Sequence, residues 1–286
     1  MNPLVSVLMT AYNREHYIAE AIESVLDSTF TDFELVIVDD GSTDNTVTIA
    51  KSYQSKDARI KLYVNEKNLG DYPNRNKAAS YATGKFLKYL DSDDKLYSYG
   101  LDVFVTAMEK FPEAVLGVSS KNNLPYEPFP LLLSPRQSYY KHFFEYGLLD
   151  FGPSGVIIRR DAFLEVGGFS GKRYIGDQEC WMKLAALNPI VELPPSLIFW
   201  RQHEGQEYQM GSVGLDGGYF LMTLPLLREV FANAKCPLTK EEKEKILRTQ
   251  HRQYARSMIK HILKTGEIRK VVQRSSELKV PLTDFF

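Results

Sequence analysis

The sequence predicts an α/β protein with a mostly parallel central sheet and helices on both faces. Short, near-continuous apolar runs lie at residues 5–9, 34–38 and 60–64, and each has the length and β-branched content of a buried strand. The segments between these runs repeat apolar residues at helical spacing. Strands that alternate with helices indicate a parallel sheet, because a helical crossover connects parallel neighbours.

The first elements follow this pattern in chain order. A helix is predicted from Arg14, with Asn13 as its N-cap, because apolar residues recur at helical spacing after it. A later helix is predicted from about Pro73, which suits the first helical position, to Gly84, a typical stop. A fourth buried strand is predicted at residues 86–90.

The remaining elements alternate less regularly. Four prolines between residues 122 and 137 predict an irregular excursion, and a capping box at Thr239-Lys240-Glu241-Glu242 predicts the start of a long helix. One large domain is therefore expected over residues 1–232, followed by a helical extension over 233–286. Within the large domain, after the fourth strand, we expect helices at 101–110, 161–166 and 177–187 and strands at 115–118, 155–159 and 196–200.

Composition sets limits on the class of protein. With 286 residues, 44% hydrophobic and 25% charged, the chain can bury a full core. Its apolar runs fall short of the roughly 20 residues of a membrane span, and its start lacks the pattern of a secretion signal. Cys180 and Cys236 are too few for a disulfide framework or a zinc cluster. These features favour a cytoplasmic protein.

The small net charge hides an asymmetry. Residues 235–286 contain 13 Lys and Arg against 6 Asp and Glu, so residues 1–234 hold 22 against 30. A basic tail suggests an anionic surface or a docking partner, and a solvated helical face is the plain alternative.

The motif Asp91-Ser92-Asp93-Asp94 carries the main chemical signal. Three acids in four residues repel one another unless a cation lies among them, and we interpret that cation as a divalent metal with a diphosphate. Ligands of open α/β sheets bind beyond the carboxyl ends of the strands. The segments 10–13, 39–40 and 91–94 follow such ends, which predicts one shared site.

Four segments resemble the successive signatures of the family-2 inverting glycosyltransferases. They are residues 5–13, residues 38–44, Asn68-Leu69-Gly70 with Arg75-Asn76, and Asp91-Ser92-Asp93-Asp94. The resemblance is dense over residues 4–95, extends to about 205 and does not cover the tail. It implies the GT-A fold, with a donor half at about 1–98 and an acceptor half at about 99–232.

The resemblance also implies a reaction. A sugar would pass with inversion from a nucleotide diphosphate donor, with uridine diphosphate the favoured carrier, to a hydroxyl of a glycan or lipid-linked acceptor. Asp93 would hold Mg²⁺ or Mn²⁺, which prefer oxygen ligands, whereas Asp94 could share that role or cap the next helix. The residues implied for the donor nucleotide are Thr10, Ala11, Tyr12, Asn13, Asp39, Asp40, Arg75 and Asp91.

The catalytic base is expected on a different segment. Ile175-Gly176-Asp177-Gln178-Glu179-Cys180-Trp181 resembles the acidic motif of the family, so Asp177 would take the acceptor proton. The sequence departs from that motif at Gly176, where an acidic residue is common. Glu179 and Trp181 are expected on the acceptor side. Capping of the helix is the alternative role for Asp177.

A later segment adds a second metal candidate. Trp200-Arg201-Gln202-His203 resembles a family segment in which the histidine faces the metal or diphosphate, and a structural role for His203 is the alternative. Gly205 and the glycines from Gly211 to Gly218 predict a flexible loop that could close over the donor.

Two other functions compete with this one. A nucleotide-sugar binding protein that has lost catalysis is suggested by Gly176. A dinucleotide-binding oxidoreductase needs a glycine fingerprint after the first strand, and Thr10-Ala11-Tyr12-Asn13 excludes it. No nucleic-acid partner is expected. The basic C-terminal helix is predicted to contact a membrane surface or a partner, or else to pack on the catalytic domain.

Overall fold

The computed structural model describes residues 2–120, 128–203, 206–212, 214–281 and 283. The chain divides into two compact units, which are residues 1–172 with 176–201, and residues 173–175 with 202–286. The division between residues 232 and 233 that the sequence suggested is a different partition and stays a prediction. The predicted excursion at 122–137 lies partly outside the described residues.

The first half of the first unit alternates strands and helices as predicted. Its strands β1, β2 and β3 pair in parallel in the order β3-β2-β1, and β4 adds in parallel to the other side of β1. The elements are β1 (Val5–Ala11), α1 (Ile18–Leu26), β2 (Phe33–Asp39), α2 (Thr46–Gln54), β3 (Ile60–Val64), α3 (Asp71–Tyr81), β4 (Phe86–Tyr89), β5 (Lys95–Leu96) and α4 (Gly100–Lys110).

The apolar runs form the core of this half. Every residue of β2 is buried, and β1 is buried at all but one position. Helix α1 packs Ile18, Ile22 and Val25 against this sheet, in agreement with helical spacing. Burying side chains of this size contributes about 1.5–3 kcal/mol each, so the continuous runs place these strands in the centre of the sheet.

The second half of the unit continues the same sheet with mixed directions. The full order is β3-β2-β1-β4-β8-β6-β9-β7, with β8 antiparallel to both β4 and β6. A separate ladder joins β5 and β10. The elements are β6 (Leu116–Ser119), β7 (Leu131–Leu133), α5 (Pro135–Tyr140), a π-helical turn (Lys141–Tyr146), a 3₁₀ turn (Pro153–Gly155), β8 (Val156–Arg159), α6 (Arg160–Glu165), α7 (Gly176–Leu187), β9 (Ile190–Leu193) and β10 (Ile198–Phe199).

Two predicted helix boundaries were wrong. Helix α1 begins at Ile18, and Asn13 has a left-handed φ of 53° in the preceding turn. Its side chain accepts a hydrogen bond from the Thr43 amide and does not cap the helix. Helix α3 ends at Tyr81, before Gly84. A Cβ on Gly84 would lie 2.5 Å from the Ser6 nitrogen, so this glycine permits close approach to β1.

The second unit is helical. Its elements are α8 (Glu207–Gly211), a 3₁₀ turn (Gly214–Asp216), α9 (Gly218–Ala232), α10 (Lys240–Thr265) and α11 (Ile268–Glu277). Thr239 and Glu242 form the predicted capping box at the start of α10. The predicted loop from Gly211 to Gly218 connects the end of α8 to the start of α9 and includes the 3₁₀ turn, and its closure over the donor stays a prediction. Gly205 lies outside the described residues.

Within the described ranges, no helix combines the length and apolar character needed to cross a bilayer.

Candidate functional site

The carboxyl ends of β1, β2 and β4 lie side by side, because β1 pairs in parallel with both neighbours. The pairing continues past the strands. The Asp40 amide donates to the Ala11 carbonyl at 2.8 Å, and the Leu90 amide donates to the Leu8 carbonyl at 3.0 Å. The segments 10–13, 39–40 and 91–94 therefore leave the sheet at one edge.

Asp39 and Asp40 hold two loops at this edge. The Asp39 carboxylate accepts the amides of Gly41 and Ser42 at 3.1 and 2.9 Å. Asp40 is 3% exposed, and its carboxylate accepts hydrogen bonds from the Asn65 side chain and from the Leu69 and Gly70 amides at 2.7, 2.9 and 2.9 Å. Each carboxylate oxygen has two lone pairs. Oδ1 accepts two of these three hydrogen bonds and Oδ2 accepts one. Contact of Asp40 with a base stays a prediction, and it would use the remaining lone pair of Oδ2.

The turn after β1 presents one aromatic ring to solvent. Tyr12 is 45% exposed, whereas Ala11 is buried and Thr10 is half-buried. The Asn13 amide donates to the Ser42 hydroxyl at 2.8 Å, which ties this turn to the loop after β2. Tyr12 is therefore the aromatic ring that segment 10–13 offers to a planar ligand.

Arg75 joins two acids across α3 and the acidic motif. Its guanidinium lies 2.7 Å from Asp71 and 2.7 Å from Asp91, and only 10% of its side chain is exposed. Burial alone would lower the pKa of Arg75, but the two carboxylates raise it well above its ordinary value. A permanent cation therefore lies next to Asp91, and Arg75 is held by acids instead of lying free on a helix surface.

Asp93 and Asp94 point in different directions. Asp93 pairs with the Arg14 Nε at 3.1 Å, and 13% of its side chain is exposed. Asp94 is 2% exposed and accepts the Arg201 amide at 3.1 Å. Burial, together with the charge of Asp91, raises the pKa of Asp94 to about 7, although a hydrogen bond from Ser154 lowers it. Asp93 is therefore the accessible member of the pair.

A buried lysine lies beneath the acidic motif. The ammonium of Lys88 donates to the carbonyls of Tyr89 and Ser154 at 2.7 and 2.5 Å. Burial lowers its pKa to about 7, and the charges of Asp91 and Asp94 oppose this shift. Ser154 also accepts the Asp91 amide at 2.9 Å, so the turn before β8 fixes the backbone of the motif.

Asp177 lies in the first turn of α7 and is half-buried. Burial raises its pKa to about 6, whereas the Gln178 amide, the Tyr72 hydroxyl and the charge of Arg75 lower it. The Tyr72 ring packs against Gly176 so closely that a Cβ there would lie 2.8 Å from the ring. Burial and the charges of Asp177 and Asp71 raise the pKa of Tyr72 far above its ordinary value, so its hydroxyl keeps its proton.

Glu179 and Trp181 lie behind this surface. Glu179 is 2% exposed and pairs with Lys172 and Lys183 at 3.0 and 2.8 Å. Trp181 is fully buried, and its indole nitrogen donates to the Phe151 carbonyl at 2.8 Å. Both side chains thus support α7 and the segment before β8 from within, and direct contact with an acceptor stays a prediction.

His203 belongs to the second compact unit. Its amide donates to the Gln206 side chain at 3.2 Å. Its role as a metal ligand stays a prediction.

The donor set at the acidic motif fits a weakly held divalent cation. The described residues contain no cluster of three His, Cys, Asp or Glu side chains that could hold a metal by itself. Mg²⁺ and Mn²⁺ need few carboxylates when phosphate oxygens complete the shell. Asp93, with Asp91 two positions before it, supplies oxygen ligands of this kind.

Sequence reasoning missed several residues that shape the site. Arg14, Tyr72 and Arg201 contact the acidic residues through side-chain or backbone atoms, and Lys88 bonds the Tyr89 and Ser154 carbonyls beneath them. A lysine inside an apolar strand was the one available signal, because an ammonium is buried only when partners satisfy it.

Comparisons with known proteins agree with this geometry. The family model described as "Glycosyl transferase family 2" matches residues 6–167. The chain is 43% identical over 107 residues to the UDP-Glc:alpha-D-GlcNAc-diphosphoundecaprenol beta-1,3-glucosyltransferase WfgD of Escherichia coli, a match that covers 37% of this chain and 42% of the relative. It is 45% identical over 93 residues to the putative teichuronic acid biosynthesis glycosyltransferase TuaG of Bacillus subtilis, covering 32% and 37%. Each match thus spans less than half of the relative's length.

Solved structures share the fold over nearly the whole chain. S. aureus TarS in complex with UDP has a TM-score of 0.71 and 22% identity, covering 98% of this chain and 79% of that one. The mannosyltransferase PcManGT of Pyrobaculum calidifontis, in complex with GDP-Man and Mn²⁺, has a TM-score of 0.66 and 16% identity, covering 100% and 87%. The chain belongs to glycosyltransferase family 2 and has the GT-A fold.

Proposed function

We propose that this chain transfers a sugar, with inversion, from a uridine diphosphate donor to a hydroxyl of a glycan or lipid-linked acceptor in a metal-dependent reaction. The printed names of relatives support the donor and acceptor classes, since WfgD uses UDP-Glc and a diphosphoundecaprenol acceptor and TarS binds UDP-GlcNAc. The GDP-Man complex of PcManGT makes guanosine diphosphate the second donor class to test.

One observation supports the proposal most directly. The N-terminal part of α3 links the acidic motif to Asp177, because Arg75 pairs with Asp91 while Tyr72 hydrogen-bonds Asp177. The donor-side acid and the proposed base are therefore held by two residues that lie one turn apart. A reaction that breaks a bond to diphosphate and removes a proton needs both functions at fixed positions.

The proposed roles follow from these surroundings. Tyr12 and the rest of segment 10–13 would hold the nucleoside with Asp39 and Asp40, and Asp91 would bind the ribose. Arg75 would stay cationic beside the donor and position Asp91. Asp93 would hold Mg²⁺ or Mn²⁺, which would neutralise charge on the leaving diphosphate.

Asp177 would act as the base. As the acceptor oxygen forms its bond to the anomeric carbon, the bond to the diphosphate breaks and the hydroxyl proton moves to a carboxylate oxygen of Asp177. A pKa of about 6 suits this task, since the group is deprotonated at neutral pH but is a stronger base than an ordinary aspartate. Glu179 and Trp181 would fix the helix that carries it.

The packing around Gly176 argues against the alternative function, a nucleotide-sugar binding protein without catalysis. Gly176 suggested a defective acidic motif, but a side chain at this position would collide with the Tyr72 ring. The Tyr72 hydroxyl instead bonds Asp177. The departure from the family pattern thus has a packing reason, which favours a working base over a lost one.

Nucleotide binding and turnover test the proposal together. Unfolding temperatures should be measured with UDP, GDP or TDP, each with and without Mn²⁺, followed by release of UDP from UDP-sugars in the presence of glycan acceptors. At a hundredfold excess over Kd, a nucleotide stabilises the protein by about 2.7 kcal/mol. Stabilisation by UDP and Mn²⁺ with turnover supports the enzyme. Stabilisation without turnover supports the binding protein, and the absence of any stabilisation contradicts both.

The proposal includes a membrane partner for the second unit. Four large apolar side chains are exposed on α10 and α11, namely Ile259, Leu263, Ile268 and Val272 at 36, 82, 59 and 63%. Five basic side chains on these helices are also exposed and have no acidic partner within 4.0 Å in the described part of the chain, namely Arg252, Arg256, Lys260, Lys264 and Arg269. We call these nine residues the basic apolar surface.

An anionic bilayer matches this composition. Apolar side chains enter the boundary of the acyl region, and each nearby Lys or Arg adds about 1 kcal/mol of attraction to anionic lipid. The protein should sediment with phosphatidylglycerol-containing vesicles and weakly with phosphatidylcholine alone. Leu263→Glu should reduce sedimentation, whereas Leu164→Glu, a change at a 55% exposed position in the first unit, should not. Equal sedimentation of the two variants would contradict this contact.

A further inference from the structure

A depression lies on the small two-stranded ladder of the first unit. Its volume is about 300 Å³, and it is lined by Glu20, Lys95, Leu96, Tyr97, Phe199 and Arg201. We call it the aromatic depression. None of the roles proposed above uses it.

Strand alternation places two aromatic rings on the outer side of this ladder. Lys95 and Tyr97 point to one face of the β5 segment, and Phe199 pairs with Lys95 across the ladder. Tyr97 is 40% exposed and Phe199 is 46% exposed, whereas Leu96 between them is buried in the core. Adjacent exposed rings are uncommon away from binding surfaces, because water solvates them poorly.

A third aromatic ring, that of Tyr99, packs against one ring of this exposed pair. Tyr99 stacks on Tyr97 with ring centres 5.7 Å apart and planes 8° from parallel. Its hydroxyl donates to the Ser196 carbonyl at 2.9 Å, which fixes the ring. Two parallel rings present a flat apolar face next to Phe199. Such a face matches the C–H side of a pyranose ring, as aromatic side chains combine apolar area with defined orientation.

Hydrogen bonds and close packing hold the segment that carries these rings. The Leu96 amide donates to the Ser24 hydroxyl at 3.0 Å, and the Thr29 amide donates to the Ser98 carbonyl at 2.9 Å. A Cβ on Gly100 would lie 2.4 Å from the Leu197 carbonyl oxygen, so the chain is closely packed there. Little ordering entropy remains to be lost on binding.

Charged groups beside the rings supply hydrogen-bond partners. The Glu20 carboxylate lies 3.1 Å from the Lys95 ammonium and 2.9 Å from the Arg201 guanidinium. Hydrogen bonds from Arg201 and Lys95 lower the pKa of Glu20, so it stays an acceptor at neutral pH. Sugar hydroxyls can both donate to a carboxylate and accept from cations, whereas a purely apolar partner would leave these groups without new bonds.

The depression adjoins the acidic motif. Arg201 donates from Nε to the Asp93 carbonyl at 2.9 Å and from its amide to Asp94 at 3.1 Å. Lys95 directly follows Asp94. A ligand in the depression therefore contacts residues that also hold the donor-side motif.

We infer that the aromatic depression is a carbohydrate subsite that binds one neutral sugar residue of the acceptor glycan or of the glycan product by stacking on Tyr97 and Phe199. This inference rests on the proposed function for the identity of its ligand, but binding in the depression can be measured separately. A protein partner at the same surface is the competing outcome.

Saturation-transfer NMR with cellotriose, maltotriose and chitotriose tests the subsite, with affinities from titration. At least one trisaccharide should bind, and Tyr97→Ala combined with Phe199→Ala should weaken it about tenfold. Tyr97→Phe should retain binding, because it keeps the ring. Tyr140→Ala is the matched control, since Tyr140 is 46% exposed outside the depression. Every variant should keep its response to UDP and Mn²⁺, which shows that it is folded.

Three results would overturn the inference. They are no binding of any trisaccharide to the native chain, equal binding by the double variant, and equal loss in the Tyr140→Ala control. A native chain that responds to UDP and Mn²⁺ but ignores the sugars contradicts the subsite alone. A chain that binds sugars but no nucleotide contradicts the proposed function and leaves a carbohydrate-binding depression in place.

Discussion

The acidic motif after β4 and the acidic start of α7 hold aspartates in opposite surroundings. Asp91 and Asp93 each face a guanidinium, from Arg75 and Arg14 at 2.7 and 3.1 Å. Asp177 has no such direct pair in the described part of the chain. Its partners are an amide and the Tyr72 hydroxyl, and burial raises its pKa to about 6.

This difference separates two kinds of chemistry. A carboxylate next to a cation stays charged and suits the binding of a metal or donor, whereas a carboxylate with a raised pKa suits proton transfer near neutral pH. Both regions use the same residue type. The proposed roles therefore rest on the surroundings that α3 provides through Arg75 and Tyr72.

The largest expected effect comes from removing the proposed base. Asp177→Asn keeps the shape of the side chain but cannot accept the proton, so kcat should fall by about 10²–10⁴-fold. Stabilisation by UDP and Mn²⁺ should stay unchanged, because the donor edge is intact. Near-native turnover in a folded Asp177→Asn protein would remove the contrast between the two regions.

The next effect separates two adjacent acids. Asp93→Ala should abolish the part of UDP stabilisation that depends on Mn²⁺ and lower turnover about 100-fold, because a lost metal contact costs several kcal/mol of charge stabilisation. Asp94→Asn should lose less of the Mn²⁺-dependent stabilisation and less turnover, since Asp94 is buried with a pKa of about 7 and the amide resembles its protonated form. Thermal shifts with and without Mn²⁺ compare the two. A larger Mn²⁺ defect in Asp94→Asn would reverse the assignment.

The smallest effect concerns the hydrogen bond that positions the base. The Tyr72 hydroxyl lowers the pKa of Asp177, so Tyr72→Phe should raise that pKa by up to about 1 unit, the equivalent of one hydrogen bond. Turnover should fall less than tenfold at pH 8, and the fall should be larger at pH 6 than at pH 8. If the pH–rate profile of the Tyr72→Phe protein keeps the native midpoint, Tyr72 acts only through packing.

The sequence predicts the donor half well because its signals are local. Buried parallel strands are continuous apolar runs, and residues 34–38 read as one without any contact information. Their order along the chain then brings the segments 10–13, 39–40 and 91–94 to one edge. The capping box of Thr239 and Glu242 is equally local, and the structure forms it as predicted.

The remaining features depend on contacts between distant residues. Asp93 and Asp94 are neighbours in sequence, yet Arg14 lies 79 positions before Asp93 and Arg201 lies 107 positions after Asp94. No local pattern distinguishes which acid turns inward. Gly176 stands where the family motif often has an acid. The contact that explains this glycine is with the distant Tyr72 ring, which fills the space of a side chain at position 176.

The pH dependence of kcat/KM tests the role of Asp177 most directly. This parameter reports the ionisation of the free enzyme, and the base must be deprotonated to act. Because burial raises the pKa of Asp177 to about 6, activity should rise tenfold per pH unit below this value and level off above it. The Asp177→Asn protein should lack this limb. A native profile that stays flat between about pH 5 and 8 would contradict the assignment of Asp177 as the base.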